Sequence, residues 1–334
     1  MTSFEKRPLG RTPLEVTVLG LGCATLGGHR VPVTRSEAEG IVRAAWERGV
    51  RYVDCAPFYG YGQAERCVGD TLREMPRDEW VLSTKVGRLL RPRTQAPAAE
   101  PYRHPLPFNT AFDFTYDGVM RAFEDSLQRL GLGRIDILYA HDVGAAQHGR
   151  DRHPEVMRTF RDGGYRALEE LRRSGVVRAI GIGVNEREAL LEAMDWGDWD
   201  AFLLASRYTL LEQDPLDDLL PKCVQSGISI VVGAVHNTGI LAGRDSWNYR
   251  PAPPQIANRV NAIRVVCDRY AVPLIAAALQ FPLAHPAVAA VLPGPRNIAE
   301  LEENSELLHY PIPSALWADL REAKLLHPDA PTPT

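Results

Sequence analysis

DGVMRAFEDSLQRLGLGRIDILYAH, residues 117–141, decides the fold. Val119, Phe123, Leu127 and Leu130 recur at i, i+4, i+8 and i+11, so they share one face of a helix. Asp117 is the expected N-cap, and Gly131 supplies the left-handed stop that ends the helix. IDILYAH (135–141) then runs almost wholly apolar, without the strict alternation of a half-exposed strand. Such strands belong to parallel sheets covered on both faces.

The same unit recurs along the chain. VTVLGLGC (16–23) reads as the first strand. Ser36 and Glu39 form an expected capping box for a helix carrying Ile41, Val42, Ala45 and Trp46 on one face, with Gly49 at its C′ position. YVDC (52–55), a helix over 65–74 and WVLSTKV (80–86) follow. Beyond residue 141, a helix over 164–174 ends at Gly175 and leads to AIGIGV (179–184). A helical unit over 186–194 leads to AFLLAS (201–206), and a helix ending at Gly227 leads to ISIVVGA (228–234). Helical stretches over 255–270 and 272–284 precede AVAAVLP (287–293), and NIAELEENSELL makes the last helix. Eight strands, each followed by a helix and with no linker between halves, predict one α/β domain over residues 1–334, a (β/α)8 TIM barrel. The open dinucleotide-binding sheet is the competing arrangement. Its fingerprint fails here, because GLGCATLGG has Gly20 and Gly22 but Thr25 in place of the third glycine.

A plain barrel needs about 250 residues, whereas this chain has 334, of which 26 are proline. The excess falls in three segments expected to overhang the C-terminal face (88–117, 142–163 and 244–254) and in the chain from 311, with a loose tail over about 327–334. Aromatics in the overhanging segments (Tyr102, Phe108, Phe112, Trp247, Tyr249) suit the faces of a small polar ring. The 38 basic residues against 42 acidic give a net charge of −4, so no basic field exists to hold nucleic acid or an anionic membrane. Five cysteines without C-x-x-C spacing argue against a disulfide framework or zinc ribbon. The first residues lack the apolar core of a signal peptide, and runs such as LIAAALQF (274–281) are too short to span a bilayer. A cytoplasmic protein with small-molecule partners and no bound metal is expected, as a monomer or homodimer.

In a barrel, chemistry gathers where the strands end. Asp54 ends the second strand, Tyr59 follows in DCAPFYGYG, Lys85 lies near the end of the third and His141 ends the fourth. A phenol is a poor acid or base near neutrality unless a neighbour shifts it. An adjacent ammonium favours its phenolate, and a carboxylate can hold that ammonium in place. His141 is placed to orient a carbonyl or alcohol oxygen beside Tyr59.

On Asp54, Tyr59, Lys85 and His141, and on the blocks DCAPFYGYGQAERCVGDTLRE, VLSTKVGRLL, FDFTYDGVMRAFEDSLQRLGLGRIDILYAHDV and SRYTLLEQ, the chain resembles the aldo-keto reductases over essentially its full length. The blocks resemble most the branch holding L-fucose dehydrogenase, D-threo-aldose 1-dehydrogenase and pyridoxal 4-dehydrogenase. The resemblance implies a barrel with an N-terminal β-hairpin, and those four residues as a catalytic tetrad. It also implies a nicotinamide cofactor bound across the mouth, with hydride transfer to or from a carbonyl carbon. By the same resemblance Gly22, Asp54, Asn185, Arg207, Gly233, Ala234, Asn237, Gly239, Leu241, Gly294, Arg296, Glu303 and Asn304 are the expected cofactor contacts, and Tyr59, His141 and Trp247 the substrate contacts. The chain departs from the family pattern at Val184, Ala205 and Gly233, where a serine, a glutamine and a stacking aromatic are usual. Arg207 or His236 is expected to take over part of that work. LPGPRNIAELEEN (292–304) leads into a helix whose N-terminus suits an anion. Arg296 there suits a 2′-phosphate, but Glu300 stands where NADPH users often carry arginine, so NAD is favoured over NADP.

The expected activity is oxidation of the anomeric C1 hydroxyl of an aldose, of L-fucose or D-threo-aldose type, to its lactone. Pyridoxal oxidation and general aldehyde reduction are alternatives of the same class. A nicotinamide-binding redox-sensor subunit with little turnover is the alternative from another class.

Overall fold

Eight parallel strands pair in the order of the sequence: β1 (Leu21–Gly22), β2 (Tyr52–Asp54), β3 (Val81–Val86), β4 (Ile137–His141), β5 (Ala179–Val184), β6 (Ala201–Ala205), β7 (Ser229–Gly233) and β8 (Val288–Leu292). The ring nearly closes just before β1, where Leu19 bridges Val291 in parallel. There the Gly20 N–H donates to the Val291 carbonyl at 3.0 Å, and the Val291 N–H to that of Val18 at 2.9 Å. Helices follow the strands in turn, so the chain folds as the expected (β/α)8 barrel. This architecture comes from a computed structural model that describes residues 4–95 and 100–334. Positions 96–99 of the expected 88–117 segment lie outside the described residues. Among the described residues no helix is long and apolar enough to cross a membrane.

Two apolar layers hold the barrel. Tyr52, Ile137, Tyr139, Ala201, Leu203 and Val231 point inward and cluster with Leu9, Leu14 and Val16 from the N-terminal hairpin, Lys6–Pro8 paired antiparallel with Glu15–Thr17. That hairpin seals the end of the barrel where the strands begin. The outward side chains, such as Leu82, Leu138, Ile180, Ile182, Phe202 and Val232, pack beneath the helices. This split explains why the strands read as continuous apolar runs.

Several local expectations shift. The first strand is not one run over 16–23: Glu15–Thr17 belongs to the hairpin, and only Leu21–Gly22 pairs with β2. Helix α1 (Arg35–Glu47) is capped two residues earlier than expected, by Thr34 boxed with Glu37, which leaves Ser36 and Glu39 inside the helix. Helix α2 is Gln63–Leu72. Helix α3 (Tyr116–Leu130) is capped by Thr115 rather than Asp117, and Gly131 ends it at φ 62°. The 142–163 segment is largely helical, with Ala145–His148, His153–Thr159 and a π-turn over Phe160–Gly164 leading into Tyr165–Arg173. The 88–117 segment holds an antiparallel hairpin, Arg88–Pro92 with Phe108–Phe112. After residue 311 comes a further helix, Ser314–Glu322. Where a loose tail is expected, the His327 N–H donates to the Gln213 side chain at 2.7 Å, Arg321 donates to the Ala330 carbonyl at 3.0 Å, and Ala330 is buried.

Gly181, in β5, faces the barrel interior, where an added Cβ would fall on the Ala201 carbonyl oxygen of β6 and crowd the Tyr139 ring. Backbone cannot yield there without opening the ladder. Gly181→Ala is therefore expected to cost ~3 kcal/mol of stability, read as a lowered urea midpoint. An unchanged midpoint would show a barrel interior looser than this one.

Candidate active site

Strand ends β2, β3 and β4 bring Asp54, Lys85 and His141 to one patch, and Tyr59 reaches it from the loop after β2. The Lys85 Nζ donates to Asp54 Oδ2 at 2.7 Å and to the Cys55 carbonyl at 2.9 Å. The Ser83 Oγ donates to Asp54 Oδ1 at 2.7 Å, and Tyr52 and Tyr139 continue the chain of hydroxyls below it. Asp54, Lys85, Ser83, Tyr52 and Tyr139 are buried, and Tyr59 is half-buried above them. Ser83 escaped the sequence reading, although it stands two residues before Lys85 and so projects from the same face of β3. The Lys85 ammonium lies 5.0 Å from the Tyr59 ring centroid, and the Tyr59 and His141 rings meet edge to face at 6.2 Å.

The electrostatics differ from expectation in one respect. Burial, followed by the Asp54 carboxylate, holds the Tyr59 phenol well above its ordinary value rather than below it. Asp54 sits against the same ammonium and cancels much of its pull. Burial also pushes the Asp54 carboxyl up, against the opposing pull of Lys85 and Ser83. His141 is held well below its usual range by burial, then by Arg88 and Lys85, so its ring is neutral near pH 7. The resting site therefore presents a neutral phenol and a neutral imidazole.

Above these groups opens a cavity of about 850 Å³, lined among others by His29, Phe58, Tyr102, Asn185, Trp247 and Tyr249. Tyr102 is buried in the wall and meets Phe58 and Tyr61 edge to face at 5.2 and 5.7 Å. Phe108 and Phe112, also expected near the mouth, sit on the second strand of the 88–117 hairpin. A strap over 244–250 crosses the mouth. Asn248 and Tyr249 both take left-handed backbone (φ 48° and 63°) in a tight turn closed by reciprocal bonds between Trp247 and Arg250. Arg30 ties the strap to the first loop through Ser246 at 2.6 Å, and Tyr249 packs against His29 with ring centroids 5.8 Å apart.

The residues expected to hold a dinucleotide divide into two groups. Some are free to face a ligand. Gly22 and Gly294 lie where β1 and β8 end, and a Cβ on either would come within 3.3 Å of a backbone carbonyl oxygen, so the two strand ends pack closely there. Asn297 caps the helix Ile298–Leu307, accepting from the Glu300 N–H at 2.8 Å. Asn304 is buried and Glu303 exposed on that helix. The other group is occupied within the protein. Arg207 donates to the Asn185 carbonyl at 2.7 Å, Glu212 at 3.1 Å and Asn248 at 3.0 Å, so its donors bind strap and barrel together. Asn237 is spent on Ser206, Thr209 and Glu212, and the Trp247 Nε1 donates to Glu212 at 3.1 Å. Asn185 donates to the Ala205 carbonyl at 3.3 Å. Ala234 and Gly239 are left-handed points of the loop after β7 (φ 46° and 120°), and Leu241 is buried beside them. Gly233 packs closely, since an added Cβ would meet Leu203 at 3.0 Å and Ala205 at 3.3 Å. Glu212 is the hub that sequence reading missed, because nothing in its local pattern marks it.

The phosphate end carries a charge cluster. Arg296 binds Glu300 through its guanidinium (Nε to Oε1, 2.8 Å) and its own N–H (2.9 Å to Oε2), and Arg244 from the strap reaches the same carboxylate at 2.9 Å. The His141 Nδ1, the Ser206 Oγ and the His236 Nε2 are buried with no partner. The buried polar atoms without partners and the 850 Å³ cavity fit the nicotinamide end of a dinucleotide beside a small polar substrate.

The model of the aldo/keto reductase family matches residues 18–324. Among curated proteins, pyridoxal 4-dehydrogenase of Microbacterium luteolum is 44% identical, covering 98% of this chain and 99% of that one. D-threo-aldose 1-dehydrogenase of a Pseudomonas species is 38% identical, covering 96% of each. Among solved structures, an aldo-keto reductase of Bacillus halodurans in its holo form superposes with a TM-score of 0.75 at 26% identity, covering 97% of each chain.

His29 and His236 are each lowered to about 4, mainly by burial. Between that value and the ordinary one near 6.5 the unfolded chain binds more protons than the folded one, so stability falls as pH drops through this window. The urea midpoint is expected to decrease from pH 7 to pH 5, and less so in a His236→Asn variant. A midpoint that holds or rises on acidification would contradict the burial of these rings.

Proposed function

The chain belongs to the aldo/keto reductase family and is an oxidoreductase acting on CH–OH groups with NAD(P), and on that premise we propose that it oxidises the hydroxyl of a cyclic hemiacetal to a lactone. The observation that carries the reading is the meeting of Tyr59, Lys85, Asp54 and His141 beneath a cavity with both aromatic and charged walls. The aldopyranose, reacting at C1, is the first substrate reading, since the cavity offers hydroxyl partners on several sides in Arg88, Asp142, Asn185 and Asn248. Pyridoxal is the second, favoured by the 44% identity to a pyridoxal 4-dehydrogenase and by the aromatic walls.

In this reading the bound oxidised nicotinamide supplies the hydride acceptor. The neutral His141 holds the reacting oxygen, and Tyr59 takes the hydroxyl proton as the C–H bond breaks. That transfer turns the Tyr59 phenolate into the phenol; Lys85 steadies the phenolate before the transfer, and Asp54, fixed by Ser83, keeps the ammonium in place. Because burial holds the phenol high, oxidation needs alkali to reach the phenolate, whereas the reverse reduction begins from the phenol already present.

The favoured cofactor is NAD. Glu300 binds both Arg296 and Arg244, offsetting their positive charge and setting a negative charge against a 2′-phosphate. Glu300→Gln is expected to raise kcat/KM with NADP relative to NAD by about tenfold. No change in that ratio would remove Glu300 from cofactor choice.

The test of the reaction is a panel of L-fucose, D-arabinose, L-galactose, L-xylose and pyridoxal with each cofactor, read as NAD(P)H absorbance. Oxidation is expected to rise with pH above neutrality. Tyr59→Phe should fold and lose turnover by about 1000-fold. Normal turnover in that variant, or cofactor binding without turnover of any substrate in either direction, would sink the proposal.

A further inference from the structure

One ion pair in the cavity wall is used neither by the tetrad nor by the cofactor contacts. Arg88 follows β3 three residues after Lys85, and Asp142 follows β4 directly after His141. The two side chains form a salt bridge, and both face the cavity. Arg88 is only 4% exposed. Its guanidinium is sandwiched between Phe58 and Phe112, 4.2 and 4.5 Å from their ring centroids, and its Nε is buried without a partner. Asp142 holds left-handed backbone at φ 55°, pinned by a bond between its carbonyl oxygen and the His148 ring nitrogen at 2.9 Å. Its Oδ2 lies 3.6 Å from the His141 Nε2.

A buried ion pair between flat apolar rings is a poor device for stability, because removing both charges from water offsets most of their attraction. Here the pair sets a fixed donor beside a fixed acceptor, next to the imidazole that grips the reacting oxygen. A hydroxyl is the group that accepts from one and donates to the other. In a vicinal diol the second oxygen lies about one hydrogen-bond length from the first. An oxygen held at the His141 Nε2 therefore carries its vicinal partner towards the Asp142 carboxylate.

We propose that Arg88 and Asp142 are the specificity-determining pair that reads the hydroxyl on the carbon next to the reacting carbon, the C2 hydroxyl of an aldose. This rests on the hemiacetal reading for its natural substrate, but not for its test. A short α-hydroxyaldehyde carries the same pair of oxygens and is assayed in the direction of reduction. A site that holds a hydroxyl with charged partners rejects the analogue lacking it, since the partners are then left unpaired and desolvated.

The experiment measures kcat/KM for reduction of glyceraldehyde and of propanal with NADH or NADPH, in the unmodified enzyme and in Asp142→Asn, Arg88→Met and Arg88→Lys. Asparagine tolerates left-handed backbone, so Asp142→Asn keeps the fold even if Arg88→Met does not. The unmodified enzyme is expected to favour glyceraldehyde by about 100-fold. Asp142→Asn and Arg88→Met should lower the glyceraldehyde value about twentyfold more than the propanal value, so that the preference falls below about fivefold. Arg88→Lys should keep part of the preference. Equal losses on both aldehydes would mean that the pair only positions His141, and would overturn the proposal, as would an unmodified enzyme indifferent to the hydroxyl. If the preference is present and lost as expected while no aldose is oxidised, the aldose reading fails and this one stands.

Discussion

A lysine ammonium and an aspartate carboxylate share the dry interior of the barrel's upper end, and that placement constrains everything around them. Stripping water from both charges is costly, and the cost is offset only if each finds further partners at close range. The structure supplies them from two adjacent strands: Ser83 and Lys85 on β3, and Asp54 with the Cys55 carbonyl on β2. The parallel pairing of β2 with β3 is thus tied to the geometry of the chemistry, and a slip of one residue would turn Lys85 out towards the helices. The same pair sets the state of Tyr59. With Asp54 against the ammonium, little positive field is left for the phenol, and burial keeps it protonated.

Much of the fold was legible because its signals are local and repeated. Gly131 and Gly227 end their helices in left-handed conformation as read, and the apolar runs became the barrel strands. Misreadings occurred where two candidates compete over a few residues. Thr34 and Thr115 outrank Ser36 and Asp117 as caps because the chain is still extended at the threonines and already helical beyond them. The run 16–23 has no local mark showing that half of it pairs with the hairpin and half with the barrel; only the partner strand decides.

The site was legible to a different depth at its two ends. Residues that stand alone at the ends of apolar strands, such as Asp54, Lys85 and His141, announce themselves because a charged or imidazole group there has no packing reason. The groups that organise the mouth do not. Glu212 and Asn248 come from loops, and Arg88 and Asp142 meet only because β3 and β4 are neighbours in the barrel. Their roles depend on distances across the fold, which no spacing along the chain encodes. Arg207 combines both, as a cavity-lining residue whose Nε and Nη1 are engaged by the Asn185 carbonyl, Glu212 and Asn248.

The hairpin that seals the lower end of the barrel makes the cavity a vessel with one opening. Substrate, product and displaced water all pass the same rim, which the strap over 244–250 spans from Arg30 to Arg207. Exchange of small molecules is therefore tied to the motion of a seven-residue bridge held by side-chain bonds at both abutments and bent at a turn that contains no glycine. Changes in that bridge would alter how long a molecule stays inside without touching the groups that react with it.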